Sequence, residues 1–201
     1  MESPAIWWFT LVFTSGVSSA NQLGWLLWGL WMVHYVNRCL IFPFRIRTKG
    51  KRIPLMIVAF ALVFQMVNGY LNGAALGEFG QQYESGWWLT PQFWIGLILF
   101  VSGWLINLSS DEILLKLRKP NETDYRIPMA GLFKWVSCPN FFGEIIIWCG
   151  WAIMCWNLAA LSFAIWTVGN LLPRALAHHR WYRANFPDYP EERRAVFPGL
   201  L

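Results

Sequence analysis

Charge is what this chain has least of. Asp, Glu, Lys and Arg make up 13% of its 201 residues, against 56% hydrophobic residues and fifteen tryptophans; a soluble domain carries roughly twice that share of charge. The balance excludes an ordinary soluble globular protein and points to an integral membrane protein. Cysteine is also sparse. Cys39, Cys138, Cys149 and Cys155 lack paired metal-ligand spacing, so neither a disulfide nor a zinc site is expected. No glycine-rich GxGxxG or GxxxxGK[ST] loop is present, which excludes the Rossmann and P-loop routes to phosphate binding. No run alternates apolar and polar with period two, which excludes a membrane barrel. The N-terminus shows no charged leader and cleavage site of the secretory kind. The chain has no internal repeat or low-complexity linker, and no separate basic domain for nucleic acid.

Four stretches are free of charged side chains: Ser3 to Asn37, Ile53 to Gly77, Ser85 to Ser110 and Ile145 to Pro173. A crossing takes about 20 helical residues, so the first and last accommodate two crossings and the others one each. Breaks at Ser18-Ser19-Ala20-Asn21 and near Asn157 divide the long runs. The expected fold is all-α, a bundle of six transmembrane helices near 4–18, 22–42, 54–72, 91–109, 142–156 and 158–174. Backbone groups in lipid must be satisfied within each segment, which helices achieve.

The basic residues set the orientation. With the 44–53 loop cytoplasmic, the same side holds the 109–141 segment, both termini and every one of the 16 Lys and Arg residues except Arg38, which lies near the cytoplasmic end of its helix. The opposite side carries only Glu78 and Glu84. The net charge of +5 therefore faces the cytoplasm and its anionic lipid, with the membrane an inner membrane in a bacterium or the endoplasmic reticulum in a eukaryote.

What charge there is collects. Asp111, Glu112, Lys116, Arg118, Lys119, Glu122, Asp124, Arg126 and Lys134 lie within Asn107 to Asn140. Asn107, Asp111 and Arg118 fall on one stripe of a helix leaving the membrane; Arg174, His178 and Tyr182 form a second at i, i+4 and i+8; Asn140 and Glu144 form a third pair. Three helix ends thus present polar faces to the cytoplasmic side, a pattern that fits a pocket for a polar ligand or a solvated, salt-bridged rim. Arg118, Arg126, Arg174 and Lys119 suit an anionic ligand, and Tyr125, Tyr182 and Trp135 suit a heteroaromatic ring. His178 and His179 are adjacent, hence about 100° apart on a helix, and make no metal pair. In the second helix, His34 and Tyr35 neighbour Arg38 across one turn, where Arg38 reads either as a snorkelling anchor or as a functional group. Taken alone, Glu2 reads as an exposed residue at a helix start and Tyr35 as an aromatic-belt residue.

Several ordered segments resemble those of a known family. NLSSDEILLKLRKPNETDYRIPMAGLFKWVSCPNFFGEIIIWCG (107–150) and RALAHHRWYRANFPDYPEERRAVFPGLL (174–201) are similar to the C-terminal half of the steroid 5α-reductases, the 3-oxo-5α-steroid 4-dehydrogenases. HYVNR (34–38) resembles that family's HYxxR motif, and MESPAIWWF resembles the segment with its catalytic Glu. The resemblance covers essentially the whole chain and implies a membrane enzyme that reduces the Δ4 double bond of a 3-oxo-Δ4 steroid with NADPH. Carried onto this chain, Tyr35 and Glu2 polarise the 3-keto oxygen. It also implies that Asn107, Asp111, Arg118, Tyr125, Arg126, Asn140, Glu144, Arg174, His178 and Tyr182 contact the cofactor, with Lys51 a further candidate, while Trp7, Trp8, Phe9 and Trp31 are candidate walls of the steroid pocket. The chain reads as one reductase domain, 1–201, with residues 1–106 mainly on the substrate side and 107–201 mainly the NADPH-binding half; lipid is its one partner besides substrate, and no obligate protein partner is expected.

One departure from the family pattern stands at the N-terminus. Family members usually carry one more helix before the Glu segment, giving seven, and have a Gln where Met1 stands here. Related chemistries remain open: reduction of an enoyl thioester or of a sterol ring double bond on the same cofactor half. An isoprenylcysteine methyltransferase-like enzyme using S-adenosylmethionine fits the four converging basic residues less well, and a small transporter or structural membrane protein would be expected to place polar groups at the bilayer midplane, not at one face.

Overall fold

The computed structural model describes residues 2–16, 21–46, 53–79, 83, 86–117 and 126–200. Among them the chain is helical: α1 (Pro4–Ser15), α2 (Gln22–Val36), α3 (Phe42–Arg45), α4 (Leu55–Gly77), α5 (Pro91–Leu117), α6 (Pro139–Cys155) and α7 (Leu158–Asn185). An isolated parallel bridge joins Val136 and Arg194. Helices α4 and α5 are long and apolar enough to cross a membrane, and α6 is a shorter apolar helix.

Several helix ends differ from the sequence expectation. α1 stops at Ser15, where Gly16 turns to an extended backbone, and residues 17 and 18 of the expected 4–18 helix lie outside the described residues. The expected 22–42 helix ends at Val36 and continues as a π-helical turn, Asn37–Ile41, before α3. Pro43 accounts for this: it lacks an N–H and its ring collides with the carbonyl four residues back, and the wider turn makes room for it. α4 runs on to Gly77 rather than 72, α5 to Leu117 rather than 109, and α7 to Asn185 rather than 174. Pro173 lies inside α7; the strong helix formers that follow it outweigh one lost bond. The break near Asn157 is real: Trp156 closes α6 in the left-handed conformation, φ 48°. Pro139 opens that helix at its first turn, where its missing N–H costs nothing.

The chain packs as two compact units. The first comprises residues 1–94 and 157–159, the second 95–156 and 160–201. In the first, Gly69, Gly73 and Gly77 recur every fourth residue of α4 and meet α1. A Cβ added at Gly73 would lie 3.0 Å from Phe9 O, and one at Gly77 2.6 Å from Phe13 O. Only glycine permits that approach, the small-residue packing typical of helices in lipid. This ridge also explains why α4 outruns its expected end, since packing overrides the helix-weakening glycines.

In the second unit, glycines seven apart on each helix interlock α5 with α6. A Cβ at Gly103 would meet Gly143 O and Ile147 N at 2.7 Å; one at Gly150 would meet Phe100 N at 2.6 Å and Gly96 O at 2.7 Å. The C-terminal tail closes this unit: Ser137 N donates to Arg194 O at 2.8 Å and Cys138 N to Ala195 O at 3.1 Å. Val196 then joins Cys138, Ile145 and Ala175 in a buried apolar cluster.

Candidate functional site

Each unit holds one cluster of the residues singled out in the sequence. In the first, α1 and α2 run antiparallel along an aromatic ladder. Trp25 packs edge-on against Phe13 at 5.1 Å, Trp28 Nε1 donates to Thr10 Oγ1 at 3.0 Å, and Trp31 Nε1 donates to Ala5 O at 2.7 Å. The spacing of 25, 28 and 31 puts these indoles on one face of α2. One turn beyond Trp31 α2 carries Tyr35, and Glu2 lies just before the start of α1. Tyr35 is 2% exposed and its ring lies 4.9 Å from Trp31 and 5.1 Å from the buried His34. Glu2 Oε2 lies 3.8 Å from Arg38 Nε, and the same guanidinium sits over the Phe42 ring. Arg38 thus engages a carboxylate and an aromatic face instead of only anchoring a helix end. The π turn begins two residues after Tyr35, and such turns recur at functional sites.

Of the four aromatic wall candidates, Phe9 and Trp31 are fully buried and stacked at 4.4 Å. Trp8 is partly buried, and Trp7 is 52% exposed, edge-on to Trp8.

In the second unit, two of the three polar stripes meet. Asn107 Nδ2 donates to Asn140 O and to Glu144 Oε2, both at 3.0 Å, while Trp148 Nε1 donates to Glu144 Oε1 at 3.1 Å. The close approach of Gly103 and Gly143 makes this possible, because Asn107 lies one turn beyond Gly103 and Glu144 follows Gly143. Asn107 and Asp111 are buried. Arg174 lies over the Phe141 ring at 5.6 Å, and His178 meets the same ring at 6.0 Å. Tyr182 stacks on Tyr189 at 5.3 Å. Arg126 is exposed in the segment before Gly131. Arg118, Tyr125, Lys51 and Lys119 lie outside the described residues.

A second polar cluster was not among the sequence candidates. Ser137 Oγ lies 2.6 Å from both His179 Nδ1 and Tyr189 OH, clasping the tail to α7. Beside it Arg193 is 2% exposed, set over the Tyr189 ring at 5.1 Å, with Nη2 on Met129 Sδ. Arg193 Nε and Nη1 and Trp104 Nε1 are buried donors with no hydrogen bond among the described residues. Trp104 was legible, since it precedes Asn107 and Asp111 by three and seven residues on the same stripe; nothing in the sequence separated Arg193 from Arg194.

Burial, then the positive charges of Arg183 and Arg194, lower the pKa of His179 below 6.5; partial burial and then Arg174 do the same for His178. Burial alone pushes the Cys138 thiol up to about 12, and all four cysteines are free. A histidine whose folded pKa is depressed takes up its proton more readily in the unfolded chain. Stability should therefore fall as pH drops below about 6.5 and level off below the folded value. Thermal unfolding of His179→Gln beside the parent chain tests this: the variant should lose less stability between pH 7.5 and 5.5, and parallel curves would contradict it.

Comparison with known proteins shows the family. The 3-oxo-5-alpha-steroid 4-dehydrogenase family matches residues 51–201. A steroid 5-alpha-reductase of Arabidopsis thaliana is 41% identical over 98% of this chain and 78% of its own length. The 3-oxo-5-alpha-steroid 4-dehydrogenases 1 of Bos taurus and Homo sapiens are 42% and 43% identical over 88% of this chain, covering 68% and 67% of theirs. The chain is an oxidoreductase. It belongs to the 3-oxo-5-alpha-steroid 4-dehydrogenase family.

Proposed function

We propose that this chain reduces the Δ4 double bond of a 3-oxo-Δ4 steroid of the testosterone or progesterone kind, giving the 5α-dihydro-3-oxosteroid with NADPH as reductant. The observation that carries the reading is the near full-length similarity to steroid 5-alpha-reductases. It favours a steroid over an enoyl thioester, and nothing in the chain favours a methyl transfer.

The first unit supplies the groups for the ketone. Hydride addition to a conjugated enone at C5 moves negative charge onto the 3-keto oxygen, and a fixed donor aimed at that oxygen lowers the barrier. Tyr35 is that donor, its ring held by Trp31 and His34. Glu2 joins it in polarising the 3-keto oxygen, with Arg38 orienting the group. C4 then takes a proton from water. Phe9 and Trp31, fully buried, back the exposed Trp7 and the partly buried Trp8, which offer apolar surface to a steroid skeleton.

The second unit fits a phosphorylated nicotinamide cofactor by its leftover donors. Buried Trp104 and Arg193 N–H groups without acceptors call for acceptor oxygens, and arginine suits phosphate. Asn107, Asp111, Asn140 and Glu144 would hold the amide- and hydroxyl-bearing parts, with Arg118, Tyr125, Arg126, Arg174, His178 and Tyr182 completing the set. The reduced nicotinamide supplies the hydride. Glu144→Leu should weaken NADPH binding on the order of 30-fold, about 2 kcal/mol, because Asn107 and Trp148 lose a charged acceptor. Calorimetric titration measures this directly, and unchanged affinity would remove Glu144 from the site.

The surface fits a bilayer. Leu55, Phe60 and Val63 of α4 are 81%, 67% and 61% exposed, an apolar display that water does not tolerate over such a length. Six crossings with the cofactor face, loop 109–141 and C-terminus in the cytoplasm account for the distribution of Lys and Arg.

A further inference from the structure

Helix α4 carries three amides in its apolar interior. Gln65, Asn68 and Asn72 are 7%, 5% and 2% exposed, and no catalytic or cofactor role above uses them. Polar side chains at such depth are costly and are kept where they serve a function. Asn72 Nδ2 donates to Asn68 Oδ1 at 3.0 Å and to Asn68 O at 3.2 Å. That bond fixes the Asn68 amide with its Nδ2 pointing the other way, and among the described residues Asn68 Nδ2 and Gln65 Oε1 are both buried without a hydrogen bond.

The pair is thus one unmet donor and one unmet acceptor, three residues apart on a helix and so roughly 5–6 Å apart at their Cβ atoms. Gln65 lies one turn before Gly69, on the ridge that meets α1 beside Trp8 and Phe9; Asn68 lies on the neighbouring ridge. Both belong to the compact unit that carries Glu2 and Tyr35. A hydroxyl is the small group that both donates one hydrogen and accepts another. A ketone in the same place meets Asn68 but leaves Gln65 Oε1 unmet.

We infer that Gln65 and Asn68 form a second polar subsite for the substrate, which binds a hydroxyl on the apolar ligand whose ketone is taken by Tyr35. This rests on the steroid reading above and adds a selectivity to it: hydroxylated 3-oxo-Δ4 steroids are preferred to their ketone counterparts.

The test uses the full-length purified protein, NADPH and two 3-oxo-Δ4 steroids that differ only at C17, testosterone with a 17β-hydroxyl and androstenedione with a ketone. The parent chain should favour the hydroxylated steroid in kcat/KM by about tenfold or more, the worth of one buried hydrogen bond. Gln65→Met, close in volume, should bring that preference to about one while leaving kcat/KM for the ketone near the parent value; Asn68→Leu should lower both. Equal use of the two steroids by the parent chain overturns the subsite, as does a Gln65→Met variant that keeps the preference and loses only thermal stability, the result expected of amides bridged by a structural water. Reduction of neither steroid by the parent chain would overturn the steroid reading itself.

Discussion

Tyr35→Phe should lower kcat by about 100- to 1000-fold, the loss that follows removal of one donor to a developing oxyanion, while NADPH affinity stays within about twofold. The expectation follows from how the ring is held. Trp31 is pinned to α1 through Ala5 O, Tyr35 is one turn further on and buried against Trp31 and His34, and removing one oxygen leaves that packing in place. A fall in kcat with unchanged cofactor binding separates the chemical step from folding and from the cofactor. Single-turnover reduction, with calorimetry for NADPH, reads both quantities. Near-parental turnover would take Tyr35 out of the mechanism.

Gly103→Leu should be the most damaging change on the other unit. The position is closed by two backbone atoms and one side chain: the first added carbon would lie 2.7 Å from Gly143 O and Ile147 N and 2.9 Å from Ile146 Cγ2. Atoms cannot share that space, so α5 and α6 must separate, and overpacking of this kind costs about 1–3 kcal/mol or more. Separation also pulls Asn107 from Glu144, now 3.0 Å apart. The variant should therefore unfold at lower temperature and lose NADPH binding together, whereas Gly169→Leu in α7, where an added Cβ meets nothing within 4 Å, should retain both. Parental NADPH affinity in Gly103→Leu would show that the glycine seam does not position the cofactor face.

The polar stripes were legible because i, i+4 spacing survives any detail of packing, whereas the hydrogen bonds from Asn107 to Asn140 and Glu144 across two helices belong to the fold. Helix existence was legible for the same reason, through long charge-free runs and the break at Asn157. Helix ends were less so. The π turn at Asn37–Ile41 is a local answer to Pro43 that composition does not encode, and α4 runs past its glycines because those glycines are its contact with α1. The GYLNGAALG segment carried that message in its four-residue spacing. Arg193 was illegible: it differs from its exposed neighbour Arg194 only in which way the tail turns. The amides of α4 were visible as polar residues in an apolar run, but their unmet hydrogen bonds belong to the fold.

The most direct measurement is product formation by the purified, detergent-solubilised chain given NADPH and testosterone or progesterone, with the configuration at C5 identified by mass spectrometry against standards. The account predicts a 5α-dihydro-3-oxosteroid formed with consumption of one NADPH per product. Demonstrable NADPH binding with no reduced steroid would contradict it and move the substrate to another activated double bond.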